Sequence, residues 1–501
     1  MGAPITLARK MPGRGGWLQD APPQGPGGRG IGYHVRLVVP SYFAILILGA
    51  VVWGAFTFGA VYAWAAVPLF WASAAIGVLG LVSPASYRPA PVNRPVAIGL
   101  ALVAAAVLVQ LVPLDAGALA RVSPATHAFL GQYVVGYPDV VTAHPLSIRP
   151  ASTLYGLAAF ASFSLLLLGA ARGLGRRSVR TLAGGLLVVG FALALVGIVQ
   201  SGLSGRGMAS SRIYGMVPTA DASPFGPFLN RNHFAGWMLM ALPVGLGLFI
   251  GQVARGMRGA GPTLRERVLW FSSPEASRVI LAGLAVLVMA VSLVLTFSRS
   301  GIGGFAIALA LSAFFVIRRQ ARGSRRVVVL SYVAVLLALS LGWAGLDAIV
   351  ARFADLQGTG LNGRLGVWGD AWRVVRAFPW TGTGLNTFSE AMEVYQTFEM
   401  TSHTMEAHND YLQLLADGGL LVALPALLAI FLLGREIRRR FREADEVTAY
   451  WLRVGATTGL VAGAVQETVE FSLRLPGHGA LLAALVGIAL HRAGRGDQAS
   501  A

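Results

Sequence analysis

Residues 406–443 read EAHNDYLQLLADGGLLVALPALLAIFLLGREIRRRFRE. The centre, 418–433, holds no charged residue, and Arg435, Arg438, Arg439, Arg440 and Arg442 follow directly. A helix rises about 1.5 Å per residue, so about 20 mainly apolar residues cross the roughly 30 Å of bilayer hydrocarbon. Residues 411–433 meet that length and read as a membrane-spanning helix. Basic residues just past a span hold that end in the cytoplasm. The other end carries Glu406, His408, Asn409 and Asp410, polar groups gathered at the mouth of an apolar segment on the non-cytoplasmic side.

The same ruler, moved along the chain, places further spans near 41–60, 62–82, 95–114, 152–172, 181–201, 234–252, 279–297, 302–318, 327–345, 450–471 and 476–492. With 411–433 these make about twelve helices. Of the 501 residues 55% are hydrophobic and 12% charged, with no cysteine. Soluble domains carry roughly 25% charged residues, so the fold class is an all-α polytopic membrane protein with the lipid bilayer as its solvent. The absence of cysteine excludes disulfides, thiolate catalysis and thiolate-bound metal.

The net charge of +18 raises nucleic acid as a partner, and its distribution argues against it. The runs 171–180, 318–326 and 435–443, with Arg255, Arg258, Arg265 and Arg267, fall on one side of the span count. This is the pattern of cytoplasmic loops, and both termini share that side. Residues 1–35, rich in Gly, Pro and Arg, read as a disordered cytoplasmic tail, and 493–501 as a second tail. Between them lie N-terminal spans over 36–200 and a core over 201–492. The opposite face collects 115–150, 202–233 and 346–410, the last long enough to form a helical cap. Within it Leu365, Trp368, Trp372 and Val375 recur at helical spacing, with Asn362 placed to start the helix and Pro379 to stop it. That helix either lies at the membrane interface or packs on the neighbouring loops.

Chemistry-bearing residues cluster on this face. FGPFLNRNHFAG (225–236) brings Asn230, Arg231, Asn232 and His233 to the start of a span, where one asparagine can cap the helix. TFSRSGIGG (296–304) sets Arg299 in a tight link beside Ser298, Ser300 and Gly301. Arginine is depleted on this side, and its planar fork of donors fits phosphate oxygens. In 406–417, His408 near neutral pH is suited to take a proton from an attacking hydroxyl. Gln466, Glu467 and Glu470 sit at membrane depth, where a carboxylate must face a cavity or pair with arginine, Glu470 with Arg474 at i,i+4 being the simplest pairing. His403 and His408 lack a metal-ligand spacing, and no cofactor is implied.

In order, FGPFLNRNHFAG, SRSGIGG, GRLGVWGDAWRVVRAFPWTGTGLNTF, HNDYLQLLADGGLL and FSLRLP resemble the bacterial O-antigen ligase and O-antigen polymerase superfamily over about 200–492. QLVPLDAGALARVSP, at 110–124, is similar to exopolysaccharide relatives. The resemblance implies a GT-C-like membrane glycosyltransferase of the bacterial inner membrane with a periplasmic active site. Its donor would be an undecaprenyl-diphosphate-linked glycan, and its acceptor a lipid A core sugar or another lipid-linked glycan. It implies His408 as general base and Arg299 as the arginine gripping the diphosphate. Arg231, Asn232, His233, Arg364, Asn409 and Tyr411 would bind substrate. Where many relatives carry a His and an Asp near the C-terminus, this chain has Gln466 and Glu470. The alternative is a transporter or lipid-linked glycan flippase, which would place its charged groups near mid-membrane, commonly with internal repeats.

Overall fold

The computed structural model describes residues 2, 32–82, 92–203, 212–214, 216–219, 223–256, 272–319, 324–344, 359–398, 400–443 and 446–492. The expected tail over 1–35 therefore lies outside the described residues except for residue 2, which has no regular structure, and 32–35, which are helical. The 493–501 tail, Arg258, Arg265, Arg267 and positions 346–358 of the cap also lie outside them. Residues 1–38 form one unit, of which residue 2 and the helical stretch 32–38 are described; residues 39–501 form the other.

Every expected span is a helix. The long helices are α1 (Gly32–Phe56), α2 (Ala63–Val82), α3 (Arg94–Gln110), α6 (Pro150–Gly173), α7 (Arg176–Leu203), α8 (Arg231–Gly256), α9 (Pro274–Leu295), α10 (Arg299–Arg319), α11 (Ser324–Ala344), α14 (Asp410–Arg440), α15 (Val447–Gln466) and α16 (Pro476–Leu490). Seven of them are long and apolar enough to cross a bilayer by length and composition alone. The apolar stretch of α8 is wholly enclosed by protein, packed among α7, α9, α10, α15 and α16. Helices α4 (Ala116–Val122), α5 (Pro124–Tyr133), α12 (Thr359–Ala377) and α13 (Phe388–Tyr395), in the segments between spans, complete the sixteen among the described residues. The only strands among them are two-residue antiparallel pairs, Leu114–Asp115 with Ala143–His144 and Arg212–Ile213 with Val217–Pro218.

The bundle has a basic end. There the Arg180 guanidinium pairs with Glu446, Arg255 Nη2 lies 3.6 Å from the same carboxylate, and Arg319 sits 4.4 Å over the Tyr450 ring. Asn93 Nδ2 donates to Glu436 Oε2 at 3.2 Å, and Arg439 pairs with that carboxylate as well. The starts of α3, α7 and α15 thus meet the ends of α8, α10 and α14, as the arginine pattern requires.

At the other end α12 packs on α13 and α14. Ala371, Val374, Val375 and Phe378 bury against Phe388, Met392, Ala407 and Ala416. Of the stripe expected to be apolar-facing, only Val375 joins this core; Leu365 and Trp372 remain 52% and 43% exposed. The helix begins at Thr359, so Asn362 lies inside it and not at its start. The buried face is set by small Ala371 and branched Val374, which allow close helix approach.

α14 is broken at Gly419, with φ 55 and ψ −165, a region open essentially to glycine alone. The segment 379–384 fills the break. Leu420 and Leu421 donate their N–H groups to the carbonyls of Pro379 and Trp380 at 2.9 Å each, and Gly384 N donates to Asp417 O at 2.8 Å. Gln110, at the end of α3, ties in the same segment through its amide to Thr381 O at 2.7 Å and Asp417 O at 3.0 Å. A Cβ at position 419 would lie 2.6 Å from the Trp380 carbonyl. Gly419→Ala is expected to destabilise the protein by at least about 1–3 kcal/mol from backbone strain. Thermal unfolding in detergent measures this; an unchanged midpoint would mean the break relaxes freely.

Candidate active site

Four chain segments meet at the end opposite the basic one. The first is the start of α8. Asn230 Oδ1 accepts Asn232 N at 2.8 Å and so caps the helix, leaving Arg231 and Asn232 to project from its first turn. The second is the start of α10. Phe297, in the left-handed region at φ 49, reverses the chain, and Ser298 Oγ caps the helix by accepting Gly301 N at 3.1 Å. This exposes Arg299 and Ser300 at a helix N-terminus, where backbone N–H groups favour an anion.

The third is α12, carrying Gly363, Arg364 and Val367. The fourth is the loop into α14. Ala407 N donates to Gln413 Oε1 at 2.8 Å, and Ala407 O accepts Trp368 Nε1 at 3.0 Å. Asn409 caps α14 by accepting Tyr411 N and Leu412 N at 3.1 and 3.0 Å, and Asp410 N reaches Glu467 O at 3.1 Å. His408 stands between these anchors with φ 51. Held left-handed backbone at a non-glycine residue costs on the order of 1–3 kcal/mol and persists only where its surroundings impose it.

Together with the turn that follows α15, these segments line a cavity of about 550 Å³ that contains Arg231, Asn232, Phe297, Arg299, Ser300, Arg364, Phe398, Glu406, His408, Glu470 and Phe471. Its hub is Glu470, 0% exposed. Glu470 Oε1 pairs with the Arg364 guanidinium and accepts Asn232 Nδ2 at 2.8 Å and Ser300 Oγ at 3.3 Å. Glu470 Oε2 faces His408 Nδ1 at 4.0 Å, and among the described residues neither atom has a hydrogen-bond partner. The His408 ring meets Phe471 edge to face at 4.8 Å.

Arg231, Arg299 and Arg364 converge on the cleft around Glu470. Glu406, also lining the cleft, is engaged by Arg474 Nε at 2.9 Å and by Gln413 Nε2, which donates to it at 2.6 Å. Asp370 fixes one wall. Burial alone would raise its pKa, but N–H donation from Phe398 and Thr397, with Arg373 beside them, outweighs burial and holds the carboxyl below its usual value.

The structure thus brings together Arg231, Asn232, Arg299, Arg364 and His408. It turns three other expected residues elsewhere. His233 is 6% exposed, its ring edge-on to Phe471 at 4.7 Å and its carbonyl accepting His478 Nε2 at 2.9 Å. Asn409 spends its side chain on the cap, and Tyr411 donates its hydroxyl to Ala464 O at 2.7 Å. The simple Glu470–Arg474 pairing is replaced. Glu470 takes Arg364, while Arg474 bonds Glu406, Asp417 Oδ2 at 3.3 Å and Asn386 Oδ1 at 2.8 Å. Sequence reasoning required a partner for the buried carboxylate and chose the nearest arginine; the actual one is 106 residues away.

Residues 284–427 match the family described as O-antigen ligase, which bears out the resemblance read from the motifs. The matched segment contains Arg299, Arg364 and His408, while Arg231 and Glu470 lie outside it. No curated protein matches the chain. The family match supports membrane glycosyl transfer of the ligase or polymerase type.

Proposed function

We propose that this chain, with an O-antigen ligase segment at its centre, transfers an undecaprenyl-diphosphate-linked glycan to a sugar hydroxyl on the periplasmic face of the bacterial inner membrane. The acceptor is a lipid A core sugar or the glycan of another lipid-linked unit. The observation that carries this reading is the convergence of Arg231, Arg299, Arg364 and His408 in one cleft, from two helix starts, the cap helix α12 and a loop. The basic end of the bundle lies opposite, and basic ends remain cytoplasmic, which supports a periplasmic cleft.

In this reading the donor diphosphate rests among the three arginines and the α10 N-terminus. The acceptor hydroxyl gives its proton to His408 Nε2 as its oxygen bonds to the anomeric carbon from the face opposite the diphosphate. The anomeric C–O bond breaks with its electrons going to the phosphate oxygen, so the configuration inverts. The arginines neutralise the charge arriving on undecaprenyl diphosphate, and Glu470 offsets the imidazolium through Nδ1. Charge stabilisation by guanidinium groups makes the reaction metal-independent.

Protein purified in detergent and given lipid-linked glycan should form product without any ion gradient, and EDTA should leave the rate unchanged. Arg299→Ala should lower the rate about a hundredfold. A carrier would make no product, and strong inhibition by EDTA would replace the arginine mechanism with a metal-dependent one. Cells lacking the protein should accumulate single repeat units if the acceptor is lipid-linked glycan, or polymer absent from lipid A if it is the core sugar.

A further inference from the structure

Three phenylalanines line the cleft, and two are committed to packing. Phe471 meets His408 and His233 edge to face at 4.8 and 4.7 Å. Phe297 packs on the main hydrophobic core of the bundle. Phe398 differs from both. It is half-buried, and among the described residues it joins no core cluster and no other aromatic ring packs against it. Its backbone is mounted on α12, since Thr397 N and Phe398 N donate to Asp370 Oδ2 at 2.8 and 2.9 Å. Asp370 is itself buried and paired with Arg373. The ring rests on Gly366, where any Cβ would run into the ring carbons. One face is therefore seated on bare backbone while the residue lines the cleft.

Gly366 lies two residues beyond Arg364, so one helix carries both a diphosphate-binding guanidinium and the seat of this ring. A pyranose presents an apolar face of C–H groups, and an aromatic face carries the negative quadrupole that attracts them. We propose that Phe398 is the stacking platform for the sugar directly attached to the donor diphosphate. It is a specificity-determining residue that selects a pyranose with an unsubstituted apolar face. The proposal rests on the donor reading above and deepens it.

The test uses the full-length protein in detergent and two probes, undecaprenyl diphosphate and undecaprenyl diphosphate carrying one hexose. Phe398→Leu keeps the apolar contact on Gly366 but removes the flat π face. It should bind the hexose-bearing lipid on the order of tenfold more weakly while binding undecaprenyl diphosphate as the parent does. Phe398→Tyr should restore parental binding of both. Arg299→Ala should weaken both probes alike. Equal losses for the two lipids in Phe398→Leu would mean that the residue only supports Arg364, and no loss for either would mean that it only fills space; both outcomes overturn the proposal. If Arg299→Ala leaves both probes bound, the diphosphate reading fails, and that failure is distinct from one confined to Phe398.

Discussion

His408→Ala is expected to lower glycan transfer by about a hundred- to ten-thousandfold, the usual contribution of a positioned general base. The protein should still fold, because the loop is fixed by its neighbours. Ala407 is bonded at both its N–H and carbonyl, Asn409 caps α14, and Asp410 N reaches Glu467. His408→Asn is the sharper variant. Asparagine tolerates the left-handed backbone that position 408 adopts, so it keeps the loop while removing the base. Transfer measured with properly inserted protein should be lost in both variants. Parental rates in either one would take the proton acceptor away from His408.

Arg474→Leu is expected to destabilise the protein by about 3–5 kcal/mol, the cost of stranding a buried charge. Asp417 is 0% exposed and relies on Arg474 together with N–H donation from Asn386 at 3.1 Å and Thr387 at 3.3 Å. The guanidinium also holds Asn386 and Glu406, and Glu406 is bonded through Gln413 to Ala407 N. Loss of Arg474 thus reaches the loop of His408 by hydrogen bonds alone. Thermal unfolding in detergent should show the loss. Adding Asp417→Asn should recover part of it by removing the stranded charge, and a midpoint indifferent to Arg474→Leu would make the network ornamental.

The spans were legible because the bilayer imposes a length and an apolarity that any sequence must obey, and the arginine runs separated the two ends. The small cap elements were not. α4 and α5 are too short for periodicity to speak, and they are held by a local cluster of Leu119, Leu130, Tyr137 and Leu146. The break in α14 is written in Gly419, but its partner segment 379–384 is visible only in three dimensions.

The site divides in the same way. Arg231, Arg299 and Arg364 stood out because arginine is unexpected on that face, and His408 because of its position before a span. His233 and Asn409 are direct sequence neighbours of cleft residues, yet His233 is turned about 100° from Asn232 along α8 and Asn409 is the capping residue that follows the His408 loop. One lines the cleft while the next is buried or caps a helix end. Glu470 drew notice only as a carboxylate in need of a partner. Its four neighbours, Asn232, Ser300, Arg364 and His408, lie in four separate segments.

The left-handed loop of His408 is tied down by hydrogen bonds within the chain itself. Its ordering is therefore settled once, when the chain folds, and is not repeated at each turnover. The activation entropy of transfer should carry no term for loop freezing, and the rate should respond to temperature through enthalpy. Lengthening the glycan beyond what the cleft encloses should leave that temperature response unchanged.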